Sequence, residues 1–289
     1  MTERGPEATD ANALYVFAVC RNPDPAAVAG LPGVSDETPV DTLPFGTLTA
    51  IAQSVRASDF TDEAWQARLS DQRELERYAR AHHEVVAAAA ACCPTIPLPM
   101  ATLYHGADRA REALGNEADR FHAALKRVAH HAEWGVKVYT SISPPDDTSP
   151  TPARRTTQPQ PQTQTATQPQ TPAATERSRP APGAGLAYLN RKRGVQERRE
   201  RRQAEALRTA DLVDAEVGRV ATASRRLRPH GPQLPGELRV QILNATYLVA
   251  EHRADEFALL TQTLRERTGA QIELSGPWVP YSFVGEVQA

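Results

Sequence analysis

Apolar runs and alternating apolar and polar positions predict β-strands along much of the chain. Residues 14–19 are continuously apolar and rich in Val and aromatic side chains, which is typical of a buried strand. Residues 95–102 lie among prolines that impose extended backbone, and this favours an edge strand or a crossing segment. The same patterns predict strands at residues 48–55 after a bend at Phe45-Gly46, at 134–142, at 238–249 as one or two strands, and at 270–274.

Apolar residues recur at helical spacing between these strands. A long helix is predicted to begin near Asp62 after a cap at Asp59 or Thr61, with a break near Ser70-Asp71. Further helices are predicted at residues 107–133, 186–227 and 255–267, the last of them capped by Gly269. In the third helix the apolar positions that we assign to one face are Leu186, Leu189, Leu207, Ala210, Val213, Val217 and Val220.

Residues 144–183 interrupt this pattern, because Gln, Thr and Pro dominate and almost no residue is apolar. Such a segment cannot bury a core and is predicted to be a disordered, partly polyproline linker. We therefore expect an α+β fold of two small α/β domains with long helices. The expected divisions are a disordered N-terminus at 1–12, an N-terminal α+β domain at 13–143, the linker at 144–183, and a C-terminal helical and ferredoxin-like α+β domain at 184–289.

Composition and charge exclude several classes of protein. The chain is 40% hydrophobic but only 6% aromatic, so its cores must consist mainly of Ala, Val and Leu. With 33 basic and 35 acidic residues the net charge is -2, which gives no overall field for nucleic acid or an anionic membrane. The N-terminus is polar and no apolar run reaches the roughly 20 residues of a membrane span. We expect a cytoplasmic protein.

The cysteine pattern indicates a reducing compartment. Cys20 ends an apolar strand, whereas Cys92 and Cys93 are adjacent at the end of an Ala-rich helix. Neighbouring cysteines seldom bond to each other and no CxxC motif occurs. The three thiols are predicted to be structural and buried.

No motif predicts catalysis or a bound cofactor. The chain lacks GxSxG, a phosphate-cradling glycine loop and a GxGxxG after a strand, so we expect that it is not an enzyme. The pairs His82-His83 and His130-His131 lie on predicted helices without the i, i+4 spacing of a zinc helix. We predict no metal and expect solvated or hydrogen-bonded histidines, the alternative being a metal site assembled across the two helices.

A basic run near the start of the third helix is the sharpest charged feature. Its basic residues, our candidate partner-binding residues, are Arg191, Lys192, Arg193, Arg198, Arg199, Arg201 and Arg202. Glu197, Glu200 and Glu205 interleave with them, which argues against a nucleic-acid stripe. Three interpretations remain: a solvated, salt-bridged helix, a docking face for an acidic protein, and an RNA or DNA contact.

The last part of the chain combines a strand with an aromatic cluster. After residues 272–274 the Ser275-Gly276-Pro277 sequence predicts a turn. The signature residues of this segment are Gly276, Pro277, Trp278, Pro280, Tyr281 and Phe283. We expect a C-terminal strand that closes a small sheet, with Trp278 buried as an anchor of the C-terminal domain. The alternative is an exposed aromatic recognition site.

Several of these sequences, in this order, resemble the gas-vesicle GvpL/GvpF family. They are LYVFAV at 14–19, HHEVV at 82–86, EWGVKV at 133–138, GLAYL at 185–189 followed by RKR, and LSGPWVPYSFV at 274–284. The resemblance covers residues 13–143 and 183–286. Each sequence alone is weak, but the combination is specific.

The resemblance implies a gas vesicle assembly accessory or minor structural protein without a cofactor. Such a protein binds the hydrophobic shell protein and/or other accessory proteins, in the cytoplasm and at the gas vesicle. The chain departs from the family at Met100-Ala101-Thr102-Leu103, where relatives usually carry an Arg-Phe-Gly-Thr type sequence, and this points to divergence in partner choice. The alternative function is a nucleic-acid-binding regulator that uses the basic helix at 186–208.

Overall fold

A computed structural model describes residues 12–141, 184–229 and 239–285 of the chain. Within them it is a mixed α/β structure with two antiparallel sheets and helices packed on both, so the predicted α+β class is confirmed. Almost all of the predicted N-terminal disordered segment and the whole predicted linker at 144–183 lie outside the described residues.

The first sheet contains five strands from the N-terminal half of the chain. They are β1 (Asn12–Cys20), β2 (Val40–Phe45), β3 (Leu48–Arg56), β4 (Thr95–Pro97) and β5 (Leu103–Tyr104). Their order is β2-β3-β1-β4, with β5 also paired to β1. The predicted first strand, the strand at 48–55 and the bend at Phe45-Gly46 are confirmed, and Gly46 has the positive φ of 56° that a tight turn favours. The sequence pattern did not predict β2.

Helices cover both faces of this sheet, which explains the continuously apolar sequence of β1. They are α1 (Asp62–Ser70), α2 (Gln72–Ala90), α3 (Ala107–Asn116) and α4 (Ala118–Val128). Tyr15 and Phe17 belong to the core on the α2 side. Val16 and Val19 point the other way and belong to the core formed with α3 and α4. A strand with both faces covered needs apolar side chains at every position.

The break predicted near Ser70-Asp71 separates α1 from α2. Thr61 caps α1 by accepting a hydrogen bond from the backbone N–H of Ala64. Asp71 caps α2 by accepting from the N–H groups of Arg73 and Glu74. Each cap satisfies backbone donors that have no partner inside the helix, so a new helix starts after the break.

The second sheet contains three strands from the C-terminal half of the chain and one strand from the N-terminal half. Its elements are β6 (His131–Ser141), α5 (Ala184–Gly218), β7 (Ala223–Arg226), β8 (Arg239–Ala250), α6 (Ala254–Thr268) and β9 (Gln271–Trp278). The strands are antiparallel in the order β7-β8-β6-β9. Together with the β-α-β-β-α-β order along the chain, this matches the ferredoxin-like motif. Its core contains side chains from β6, β8, α6 and the last turns of α5.

The assignment of β6 to an N-terminal domain at 13–143 is wrong. β6 pairs along its whole length with β8 and on its other edge with β9, and it has no partner in the first sheet as the structure describes it. Its alternating residues Trp134, Val136 and Val138 are buried in the core of the second sheet. The alternation correctly predicted a strand, but pairing is a long-range property that the local pattern does not contain.

Three further expectations need correction. The helix predicted at 107–133 is two helices and ends at Val128, so His130 lies in a turn with φ 58° and His131 begins β6. The helix predicted at 186–227 ends at Gly218, and β7 follows it. The turn predicted at Ser275-Gly276-Pro277 is absent, because β9 continues through these residues to Trp278. By contrast, Gly269 caps α6 with φ 65°, as predicted.

Candidate functional site

The first 25 or so residues of α5 form an exposed helix that leaves the body of the protein. We call residues 184–209 the exposed helix; none of its described side chains is buried, and burial begins at Ala210. From there Val213 and Val217 pack into the core of the second sheet. At about 1.5 Å per residue the exposed helix extends roughly 40 Å.

The basic residues predicted to bind a partner lie on this exposed helix. The side chains of Lys192, Arg193, Arg198, Arg199, Arg201 and Arg202 are exposed, and Arg191 lies in the same helix, its side chain outside the described set. In the described residues no ion pair engages Arg198, Arg199, Arg201 or Arg202. Within the part of the chain that the structure describes, the salt-bridged interpretation thus finds no ion-pair partner for these four guanidinium groups, which are exposed to solvent.

Exposed leucines on the same helix were misassigned from the sequence. Leu186 is 69% exposed and Leu207 is 54% exposed, and Leu189 is exposed as well. Leu189 and Leu207 are 18 residues apart, which is five helical turns, so their side chains project from the same side of the helix. The apolar positions therefore do not form one buried face. The residues from Ala210 onward, spaced by three and four, are buried, and the leucines before them face solvent.

The C-terminal residues form a second notable feature, which we call the C-terminal clasp (residues 278–285). Trp278 is 51% exposed, so the prediction that it is a buried anchor of the C-terminal domain is wrong. Its indole and the Tyr281 ring instead lie about 6 Å from the His83 ring of α2. Phe283, only 4% exposed, is the buried aromatic residue of the segment.

The clasp joins the two sheets by polar and apolar contacts. The buried Glu133 carboxylate of β6 accepts hydrogen bonds from the backbone N–H of Ser282 at 2.8 Å and from its hydroxyl at 2.6 Å. Val279 packs against the α2 side of the first sheet and Val284 packs against the α3–α4 side. Arg127 of α4 donates to the carbonyl oxygen of Phe283 at 3.3 Å. The end of the second sheet is thus held on the first.

Tyr15 and His82 form a buried pair of polar side chains. The pair contacts the segment at Met100-Ala101-Thr102-Leu103, where the chain departs from the family that it resembles. The Tyr15 hydroxyl is hydrogen-bonded to Nδ1 of His82 at 2.9 Å and accepts a hydrogen bond from the backbone N–H of Ala101 at 3.1 Å. Ala101 has a φ of 59°, and Met100 beside it is exposed. Burial lowers the pKa of His82 to about 4 because the charged imidazole loses its hydration. The pair is a packing feature of the interior.

His82 should make stability depend on pH. Because its folded pKa of about 4 lies below the ordinary 6.5, the unfolded chain binds the proton more readily. Stability is therefore complete above pH 6.5 and falls as the pH drops towards 4, by a total of about 3 kcal/mol for this group. Urea unfolding measured between about pH 7 and about pH 4 should show most of this loss.

The matched variants are His82→Gln, which keeps an acceptor for Tyr15 but does not titrate, and His105→Gln at an exposed position. The first should flatten the pH dependence of the unfolding free energy, and the second should leave it unchanged. An unchanged slope in the His82 variant would contradict the assignment.

The other histidines have hydrogen-bonding or surface roles. His131 lies 2.7 Å from the carbonyl oxygen of Ala129 through Nδ1 and 2.9 Å from the Thr222 hydroxyl through Nε2. Among the described residues no group of three His, Cys, Asp or Glu side chains could hold a metal ion. No helix in the same residues is long and apolar enough to cross a membrane.

The fold and these surfaces define a class: a two-sheet α/β protein with an exposed basic helix and a C-terminal clasp. The family profile described as "Gas vesicle synthesis protein GvpL/GvpF" matches residues 13–285 of the chain. The chain is also 34% identical over 271 residues to gas vesicle protein L of Streptomyces sp. (strain CB03234), covering 94% of this chain and 92% of that protein. The chain therefore belongs to the GvpL/GvpF family of gas vesicle proteins.

Two crystal structures share the fold. GvpF from Anabaena sp. PCC7120 aligns with a TM-score of 0.60 at 14% identity, covering 96% of this chain and 98% of its own. GvpF from Microcystis aeruginosa aligns with a TM-score of 0.58 at 12% identity, covering 95% and 99%. At such low identity the agreement concerns the fold, and family membership rests on the sequence matches.

Proposed function

We propose that this protein acts in gas vesicle assembly as an accessory or minor structural component that binds gas vesicle proteins through its exposed helix. The partner is the hydrophobic shell protein or another accessory protein, and the site of action is the cytoplasm and the gas vesicle. The observation that supports this most directly is the exposure of the helix at 184–209 in a family named for gas vesicle synthesis.

The exposed helix has the physical properties of a docking element. A helix without tertiary contacts is only marginally stable in water, because most helical stability in proteins comes from packing of an apolar face. Leu186, Leu189 and Leu207 offer such a face and have no partner in the described residues. Covering them would remove apolar area from water and stabilise the helix at the same time.

Charge gives the expected chemistry of the partner. Between Arg191 and Arg202 seven basic residues stand against two acidic ones, in a chain whose total charge is only -2. Arg198 and Arg202 are four residues apart and so share one face of the helix. A surface with an acidic region beside an apolar one is complementary to this arrangement, and the charges would steer association and orient the complex.

Reversal of the basic charge should weaken the complex and leave the fold intact. We expect Arg198, Arg199, Arg201 and Arg202, all changed to Glu, to raise the Kd for the shell protein or an accessory partner by a factor of about 10 or more, equivalent to about 1.4 kcal/mol or more. Pull-down followed by titration calorimetry with purified gas vesicle proteins measures this. Circular dichroism checks that the fold is retained.

Matched variants separate specific contact from general charge. Arg198→Glu with Arg202→Glu changes the charge by the same amount as Arg73→Glu with Arg80→Glu on α2, where both side chains are exposed. Only the first pair should weaken binding. Equal weakening by both pairs would contradict a docking role for the exposed helix. Sequence-tolerant binding to RNA that falls steeply with salt would instead support the nucleic-acid alternative.

A further inference from the structure

Two of the three cysteines meet at the edge of the first sheet, which the sequence did not predict. Cys20, at the end of β1, is fully buried, and Cys93, after α2, is half-buried. Both sulfur atoms lie beside the same side-chain hydroxyl group. The Thr95 hydroxyl lies 3.3 Å from Sγ of Cys20 and 3.8 Å from Sγ of Cys93. Cys92 is exposed, so the expectation that all three thiols are buried is wrong.

The backbone places the two cysteines in reach of a covalent link. Cys20 is directly opposite Thr95 in the antiparallel pairing of β1 with β4. Cys93 precedes Thr95 by two residues and lies in the bend that leaves α2. Both sulfur atoms therefore lie around the Thr95 hydroxyl, and a shift of the chain at Cys93 would bring them to bonding distance. The bend at Cys93 is partly exposed and is the side that can move.

The surroundings make the two thiols chemically unequal. The hydrogen bond from the Cys20 thiol stabilises the thiolate of Cys93 and lowers the pKa of Cys93. The pKa of Cys20 is raised, because it acts as the donor and because it is buried. Cys93 is partly exposed whereas Cys20 is buried, so a small oxidant reaches Cys93 first.

We propose that Cys93 and Cys20 form a reversible redox pair in which Cys93 is the reactive thiol and Cys20 resolves its oxidised form as an intramolecular disulfide. The oxidant is a peroxide. The Cys93 thiolate attacks one peroxide oxygen, so that an S–O bond forms, the O–O bond breaks and hydroxide leaves. The Cys20 sulfur then attacks the sulfur of the sulfenic acid, the S–O bond breaks, and the Cys20 proton leaves with the hydroxyl group as water.

Oxidation in this way links β1 to the end of α2 by a covalent bond. The sulfur atoms lose two electrons in total, and a dithiol reductant restores both thiols. Because Cys20 is held within reach of Cys93, the disulfide should form faster than further oxidation of Cys93. Cys92 points to solvent and has no such partner in the described residues.

Peptide mapping of the full chain after treatment with hydrogen peroxide tests this proposal. Trypsin places Cys20 in one peptide, ending at Arg21, and both Cys92 and Cys93 in another, running from Ala81 to Arg109. Non-reducing mass spectrometry of the monomer should show these two peptides joined with the loss of two hydrogens. Dithiothreitol should separate them.

Single substitutions assign the bond. Cys92→Ser should retain the cross-link and Cys93→Ser should abolish it, and both positions are exposed enough to tolerate the change. Cys20→Ala should leave Cys93 trapped as a sulfenic acid that reacts with dimedone. Iodoacetamide should alkylate Cys93 faster than Cys92 at neutral pH in spite of its lower exposure.

Three results would overturn the proposal. The first is a cross-link that persists in Cys93→Ser and is lost in Cys92→Ser. The second is a bond found only between two copies of the chain. The third is faster alkylation of Cys92 than of Cys93 together with no intramolecular bond under peroxide.

Discussion

Phe283→Ala is expected to lower the free energy of unfolding by about 3 to 5 kcal/mol, the usual range for truncating a buried aromatic side chain. Phe283 is 4% exposed and lies between Val279 and Val284, which pack on opposite sides of the first sheet. Loss of its ring leaves a cavity at this buried position. Urea denaturation monitored by circular dichroism gives the loss directly.

Trp278→Ala is the matched control, because it removes a larger side chain from a half-exposed position in the same segment. It should cost only about 1 kcal/mol, near the centre of the range for point mutants. Limited proteolysis should cut the Phe283 variant near its C-terminus and should spare the Trp278 variant. A larger loss of unfolding free energy in Trp278→Ala than in Phe283→Ala would show that Trp278 is the anchor, as the sequence indicates.

The local parts of the fold were predictable because local chemistry determines them. The helix caps at Thr61 and Asp71, the Gly269 terminator and the apolar run of β1 are each determined by residues within a few positions. The pairing of β6 was not predictable in this way. Its partners β8 and β9 lie about 100 or more residues further along the chain. An alternating pattern predicts a strand but does not indicate which other strand it pairs with.

The candidate site was predictable in its charges and not in its shape. A run of Arg and Lys on a helix cannot be buried without partners, so the exposure of Arg198 and Arg202 followed from composition alone. The leucines of the same helix were misplaced because a 35-residue helix can change its environment along its length. The spacing of the apolar residues distinguishes the exposed part of the helix from the buried part. From Ala210 onward the buried positions recur every three or four residues, and Leu186 and Leu207 do not lie on the face that these positions form.

The clasp was misjudged for a related reason. Only Phe283 among its aromatic residues is buried, and the sequence did not show that the contacts of the clasp lie in the N-terminal half. Glu133 and Ser282 are 149 residues apart, and no pattern in either segment predicts their hydrogen bonds. A buried carboxylate is stable only with such partners, so the contact explains why an acid stands near the start of β6.

Gly276→Ala should be the most damaging single-methyl change in the C-terminal half. Gly276 has a φ of 125°, where side chains are rarely tolerated. A Cβ atom there would lie 2.8 Å from the backbone oxygen of Glu133 and 3.2 Å from the Trp134 ring. Strain and overpacking together predict a loss of about 2 to 5 kcal/mol. β9 would separate from β6 at the point where the clasp begins.

Gly269→Ala isolates the contribution of backbone strain, since Gly269 has a φ of 65° and a Cβ atom added there would meet no other atom within 4 Å. It should cost about 1 to 2 kcal/mol, the penalty for a left-handed residue alone. Thermal and urea unfolding of both variants measure the difference, and hydrogen exchange should show faster opening of β9 only in Gly276→Ala. Equal losses in the two variants would mean that β9 moves away from Glu133 at little cost. In that case the close approach of Gly276 to β6 would not be what holds the C-terminal clasp in place.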